Sequence, residues 1–149
     1  MAEGAGRGAC GKAPLERRVI ADTNVLLRVL ERDAGVHGRA ARARVEAARV
    51  GERITVFAST VLEAAFVLES APAGYGWDRD SVSAAVKAMV DEPGFAVEHA
   101  DALRGAAKTY RDHPVDLHDC YLDALARERK TSVLSFDRDL ARLGTGERP

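Results

Sequence analysis

The chain has 149 residues, 46% of them hydrophobic, with 22 basic and 23 acidic side chains for a formal charge of -1. That is a size for one compact domain, able to bury roughly 68–70% of the surface its unfolded chain exposes, and so even a charge balance excludes a polybasic, histone-like partner of nucleic acid. Any nucleic-acid contact has to be local.

No apolar run approaches the roughly 18 residues of a membrane span, and the amino terminus lacks the apolar core of a secretory signal. Two cysteines, Cys10 and Cys120, make no disulfide framework and suit a reducing compartment. The expectation is a cytoplasmic protein. Of the 22 cations 18 are arginine, the side chain best shaped to grip phosphate bidentately, although such a bias also follows from genomic base composition.

Residues 1–16 hold four glycines, a proline and almost no large apolar side chain, so a disordered tail is expected there. The domain is expected over residues 17–143. Val19, Ile20 and Ala21 form a short continuous apolar run, the pattern of a strand covered on both faces. It delivers Asp22, and Thr23 and Asn24 open a helix to about Arg32. From His37 to Val50 a second helix sets Ala40, Ala43, Ala47 and Val50 on one face and Arg39, Arg42, Glu46 and Arg49 on the other. Gly51 ends it.

Arg53 to Ala58 reads as the second strand, with Ser59 or Thr60 opening a helix that carries Glu63. Pro72, Gly74 and Gly76 break the chain, and Asp78 or Asp80 caps a helix to about Asp91. Phe95 to Glu98 is a third strand. A helix from about Asp101 to Asp112 stops at His113-Pro114, because the residue before a proline leaves helical space. Asp116 caps the next, which contains Asp119 and ends near Lys130. Thr131 to Phe136 is a fourth strand delivering Asp137, a last helical turn carries Asp139, and residues 144–149 read as a loose tail.

Strands alternating with helices predict an α/β fold, a three-layer sandwich with a central parallel β-sheet of four to five strands flanked by helices. In such a fold the carboxyl ends of strands and the amino ends of helices share one edge, where ligands bind. Asp22, Glu63, Asp119 and Asp137 are therefore expected to converge on one rim. Two carboxylates about 6 Å apart repel by roughly 2.8 kcal/mol at an effective dielectric near 20, and a divalent cation relieves that repulsion. Hard oxygen donors without histidine or thiolate select Mg²⁺ or Mn²⁺, and phosphodiester hydrolysis is the reaction such a site suits best.

The segments ADTNVLLRVL, TVLEAAFVLES, DLHDCYLDALA and SFDRDL resemble, in this order, the acidic motifs of the PIN-domain ribonucleases, and most closely the VapC-type toxins of bacterial toxin-antitoxin pairs. The resemblance spans about Arg18 to Leu143. It implies a PIN-like parallel-sheet sandwich, metal-dependent cleavage of RNA, homodimerisation, and inhibition by a small cognate antitoxin. By position, Asp22, Glu63, Asp119 and Asp137 match the metal-binding acids, while Thr23 and Asn24 match the residues that brace the first. A glycine-rich tail and the surroundings of His113 and His118 depart from the pattern without touching the acids.

Each acid also has a structural reading. Asp22 can simply cap its helix, and Thr60-x-x-Glu63 fits a capping box in which the glutamate hydrogen-bonds the backbone. Asp116 sits where a cap belongs, three residues before Asp119. Either Asp137 or Asp139 can face a metal while the other caps the last helix. His113, His118 and Cys120 fit no common zinc spacing, and Cys120 reads as a small buried side chain. Arg28 and Arg138 can hold phosphates or an inhibitor's carboxylates, or serve as surface ion-pair partners. Tyr75 and Trp77 can stack a base but read better as anchors of their glycine-rich loop. Alternatives to the toxin are a PIN-family nuclease that processes RNA without a toxin role, a receiver-like phosphoacceptor and a non-catalytic interaction module. Neither Asp22-Thr23-Asn24 nor Asp137-Arg138-Asp139 supplies the paired acids and late lysine of a receiver.

Overall fold

Among residues 18–33 and 35–149, which the computed structural model describes, seven helices and four short strands follow one another. The tail expected over residues 1–16 lies outside them. The order is α1 (Thr23–Leu30), α2 (Gly35–Ala48), β1 (Ile54–Val56), α3 (Ala58–Glu69), α4 (Arg79–Asp91), β2 (Phe95–Val97), α5 (Ala100–Asp112), α6 (Leu117–Glu128), β3 (Val133–Leu134), α7 (Arg138–Leu143) and β4 (Gly146–Glu147).

β1 and β2 pair in parallel with Ile54 opposite Phe95 and Val56 opposite Val97. On the other side of β1, Ile20 forms a single parallel bridge to Thr55, closed by Ala21 N–H to the Thr55 carbonyl at 3.0 Å and Thr55 N–H to the Val19 carbonyl at 2.8 Å. β3 pairs in parallel with β4 as a separate sheet. An α/β fold is present, but its described strands form two two-stranded parallel sheets and a bridge where the sequence predicts one sheet of four to five. The segment read as a loose tail from Gly144 supplies one of these strands, β4. Val133 N–H donates to the Thr145 carbonyl and Ser135 N–H to the Glu147 carbonyl, both at 2.9 Å, so the chain end occupies one edge of β3. Gly144, at φ 100°, caps α7 in the left-handed conformation and turns the chain back to make that pairing possible. The Val19–Ala21 run is accordingly not covered on both faces: Ala21 is buried, while Ile20 is 59% exposed.

The core lies between β1–β2 and the helices. α3 contributes Val61, Ala64, Ala65 and Leu68, α4 Val82, Val86 and Met89, and α5 Leu103, Ala106 and Tyr110. Truncating any of the large aliphatic members to alanine is worth about 2–5 kcal/mol. Helix α2 docks on a different face from the one its sequence suggests: Gly38, Val45 and Ala48 are buried, whereas Ala40, Ala43, Ala47 and Val50 are exposed. Alanines gain little from burial, so of the two valines in α2 it is Val45 that sets the orientation, while Val36 in the first turn is left exposed. Arg42 follows it inward and donates to the Glu31 carbonyl at 2.7 Å, satisfying an unpaired group at the end of α1.

The connections are tied by side chains. Asp78 caps α4 by accepting from Ser81 N–H at 2.7 Å. In the loop before it, Trp77 N–H donates to the Leu68 carbonyl at 2.8 Å, the Tyr75 hydroxyl donates to Glu31, and the two rings meet edge to face. This is the anchoring role. Arg79, at the start of α4, donates to the carbonyls of Tyr110, His113 and Val115 and stacks 3.8 Å from the centre of the Tyr110 ring. It thereby fixes the end of α5 and the entry to α6.

Candidate active site

Asp22 is the N-cap of α1, its Oδ1 accepting from Val25 N–H at 3.0 Å. The strand-like segment before it is held on β1 through Ala21, which places the aspartate where strand gives way to helix. The neighbouring Thr23 hydroxyl donates to Glu63 Oε2 at 2.6 Å, across 40 residues of chain. Helix α3 begins at Ala58 with Phe57 as its cap residue, so Thr60 is already inside the helix and the capping box does not form. The open α3 amino terminus is served by Glu98, which accepts from Ala58 N–H at 3.2 Å. Glu63 is thus free of backbone duties and joined to the residue beside Asp22.

A second group of acids gathers at the amino ends of α6 and α7. Asp116 caps α6, accepting from His118 N–H at 2.8 Å. Asp137 caps α7, accepting from Asp139 N–H at 2.9 Å, and its own N–H donates to Ser135 Oγ. Asp139 is paired with Arg142 at 3.1 Å. Asp119, in the first turn of α6 and half-buried, is the one acid of this group with no cap or ion pair among the described residues. Burial, then the charges of Asp116, Asp137 and Asp139, push its carboxyl above the usual carboxylate range, with His118 pulling the other way. A carboxylate so placed gains from any cation that joins it.

The structure therefore brings the sequence-predicted acids together in two sets, Asp22 with Thr23 and Glu63, and Asp119 with Asp116, Asp137 and Asp139. Among the described residues no three His, Cys, Asp or Glu side chains stand at metal-holding distances. Helices α3 and α6 border a cleft of about 80 Å³ lined by Leu62, Phe66, Glu69, Asp116, Leu117 and His118, which none of Asp22, Glu63, Asp119 and Asp137 lines. Asn24 and Arg28 line a separate, larger cavity that also includes Asp22. Arg28 pairs with Glu31 at 3.2 Å and Arg138 is exposed. Cys120 is wholly buried, its thiol pushed up to about 12, first by desolvation.

Two acids of structural weight escape the sequence reading. Glu98 follows β2 as Asp22 follows its own apolar run, so position at a strand's carboxyl end was the available signal. Asp123 is 4% exposed and lies one turn beyond Asp119. It accepts from Arg127 at 2.9 Å and from the Thr145 hydroxyl at 2.6 Å, while Arg127 also donates to the Leu143 carbonyl. These bonds tie the β3–α7–β4 unit, and with it Asp137, to α6. An acid four residues before an arginine on a helix is the trace it leaves in sequence.

The family model for the PIN domain matches residues 19–146. A VapC ribonuclease of Aquifex aeolicus (strain VF5) is 28% identical over 100 residues, covering 66% of this chain and 72% of that protein. The match spans every acid of both sets and nearly every described element, and the chain belongs to the PIN-domain family.

Proposed function

We propose that the protein is a metal-dependent endoribonuclease that hydrolyses RNA phosphodiester bonds, acting as the toxin of a toxin-antitoxin pair. The observation that carries this reading is the Thr23 to Glu63 hydrogen bond beside Asp22. It joins two carboxylate-bearing helices where no helix cap calls for it. The donor set fits a hard divalent cation: Asp22, Glu63, Asp119 and Asp137 offer oxygen alone, and Asp119 is crowded by like charge. These four residues would hold Mg²⁺ or Mn²⁺. When bound, such an ion supplies charge neutralisation at the phosphate and an acidified water.

The chain's own residues do the rest. Thr23 orients the Glu63 carboxylate, and Val25 N–H orients that of Asp22, leaving one Asp22 oxygen unconstrained by the cap. Asp116 holds the first turn of α6 so that Asp119 faces the Asp137 side, and Ser135 holds the α7 start. Bringing the two sets into one site goes with the larger sheet that the sequence predicts. Supporting it, the Val19–Ile20 edge is open and apolar, and Leu134 and Phe136 are 68% and 78% exposed, the condition of two strand faces that gain by meeting.

The relative's name, a ribonuclease, brings RNA to the proposal, and the resemblance of the acidic motifs to VapC-type toxins adds a small cognate antitoxin. Phe66, 70% exposed beside half-buried Leu62, is the apolar face that a second copy covers in a homodimer. The deciding experiment is cleavage of a labelled RNA with and without Mg²⁺ or Mn²⁺, wild type against Asp22→Asn. Cleavage that requires metal and is lost in Asp22→Asn is expected; wild-type protein inert on RNA with both metals overturns the reading.

A further inference from the structure

A cavity of about 550 Å³ opens at the amino end of α1, lined by Asp22, Asn24 and Arg28 from α1 and by His37, Ala41 and Arg44 from α2. Asp22 is its one acid. Arg28, six residues on, lies roughly 9 Å further along the helix axis, and Arg44 and His37 face both from α2. The arginines of this region that turn toward the protein have partners there: Arg42 binds the carbonyl of Glu31, and Arg49 forms a two-pronged pair with Glu92 at 2.7 and 2.8 Å. The Arg44 and His37 side chains make no hydrogen bond or ion pair with any described residue, and the Arg28 guanidinium has a single partner, Glu31. A wall of hydrogen-bond donors with unused capacity, running away from a carboxylate, is the arrangement that takes a chain of phosphates whose reacting member lies at the acid.

We infer that this cavity is the track for single-stranded RNA flanking the cleaved bond, with Arg44 and Arg28 holding the adjacent phosphates and Asn24 and His37 within reach of the same nucleotide. The inference rests on the nuclease reading and adds to it the side of Asp22 on which the strand lies and the residues that hold it. Single-stranded RNA fits because a recess of this volume between two helices admits one nucleotide with its phosphate, whereas a duplex presents a backbone too broad to enter and keeps its bases stacked inside. Arg44 acts here as a binding residue, separate from the acids. Its loss is expected to alter hold on the substrate and to leave the chemical step alone.

The test uses the full chain and a labelled 12-nucleotide single-stranded RNA. In EDTA, binding is titrated by fluorescence anisotropy across a series of salt concentrations, for wild type, Arg44→Ala, Arg44→Lys, and Arg39→Ala as a control outside the cavity. Each phosphate contact to a single strand contributes about 0.7 to the slope of log affinity against log salt. Arg44→Ala is expected to lose about 0.7 of slope and to bind about tenfold more weakly; Arg44→Lys keeps the slope, and Arg39→Ala behaves as wild type. In Mg²⁺, Arg44→Ala raises KM about tenfold with kcat unchanged. A duplex of the same sequence binds more weakly than the single strand. If Arg44→Ala matches Arg39→Ala in slope and KM, the track is wrong while metal-dependent cleavage by wild type leaves the nuclease reading intact. The track is equally wrong if, with slope and KM so matched, Arg44→Ala weakens capture of an acidic peptide, which would assign the cavity to a protein partner. Equal binding of duplex overturns the single-strand assignment. Wild type that binds RNA with the expected Arg44 dependence but cleaves nothing upholds the track and sinks the nuclease reading.

Discussion

The two sets of acids are held by different means. Around Asp22 the support is long-range: a hydroxyl on one helix donates to a carboxylate on another 40 residues away, and both helices are seated on the main core. Around Asp119 the support is local: Asp116 and Asp137 cap their own helices, Asp139 pairs with Arg142 three residues on, and the Asp137 unit is tied to α6 by the Asp123 and Arg127 bonds. Long-range support couples an acid's position to global folding. Local support leaves the unit able to loosen while the rest stays folded.

The largest expected effect comes from neutralising an acid in either set. Asp22→Asn and Asp119→Asn should each cut metal-dependent RNA cleavage by orders of magnitude, with asparagine preserving the α1 cap in the first. In the metal-free protein Asp119→Asn should melt no lower than wild type, since burial and three neighbouring carboxylates already penalise the charged form. A clear fall in its melting temperature would mean that Asp119 is structural. Glu63→Gln separates the sets further, because no cap depends on it. Normal cleavage by that variant would remove Glu63 from the site.

Next in size is Thr23→Val, which leaves Glu63 without its donor. A hydrogen bond to a charged group is worth about 1.5–3 kcal/mol, so a fall of roughly ten- to a hundredfold in kcat/KM is expected, with little change in hydrogen exchange elsewhere. Asp123→Ala tests the local set. It should lower stability by about 1–3 kcal/mol and speed exchange at Val133 and Ser135, whose amides bond the chain end, while α1 and α3 exchange as before. Uniform acceleration across the chain would show that the β3–α7–β4 unit opens only with the whole fold.

Much of this was legible in the residues, and the failures have identifiable causes. RITVFA and FAVE announce β1 and β2 because both are apolar runs bounded by turns, and Asp78 and Asp116 announce their caps. β4 carries no such signal. Thr145, Gly146 and Glu147 have no apolar pattern, and their strand exists through pairing with β3. An alanine-rich helix such as α2 hides its buried face, since its alanines favour none and of its two valines Val45 is buried while Val36 is exposed. Glu63 was ambiguous because Thr60 and Glu63 have the spacing of a capping box, and only the helix start at Ala58, two residues earlier, removes it. Arg44 and His37 look like any solvated helix residues until α2 is laid against α1.

The Ile20 amide probes the separation of the two sheets more finely. Thr55 takes Val19 and Ala21, so the Ile20 N–H points to the opposite edge; if a strand of the β3 unit covers that edge, as the proposed larger sheet requires, its exchange should be slow. Exchange at the rate of an open edge would keep the two sheets apart. The smallest expected effect lies away from both sets. The Arg49 guanidinium holds the Glu92 carboxyl below the usual range, so this pair contributes stability that is present above the unfolded carboxylate value and is lost as pH falls through the folded one. Glu92→Gln should cost a few degrees of melting temperature at pH 7, and the gap to wild type should close toward pH 3. A gap that stays constant with pH would show that packing, not the ion pair, is what Glu92 supplies.

Arg79 will mislead anyone who maps the active site by screening for lost activity. Its guanidinium gathers three carbonyl oxygens around the α5–α6 junction and lies on the Tyr110 ring, so most replacements should shift the first turn of α6 and silence the enzyme from behind. A lysine has no planar fork to span those carbonyls and should fare little better than alanine. In such a screen Arg79 would score alongside the acids, and only its melting temperature, falling with activity where theirs holds, would tell a hinge pin from a tool.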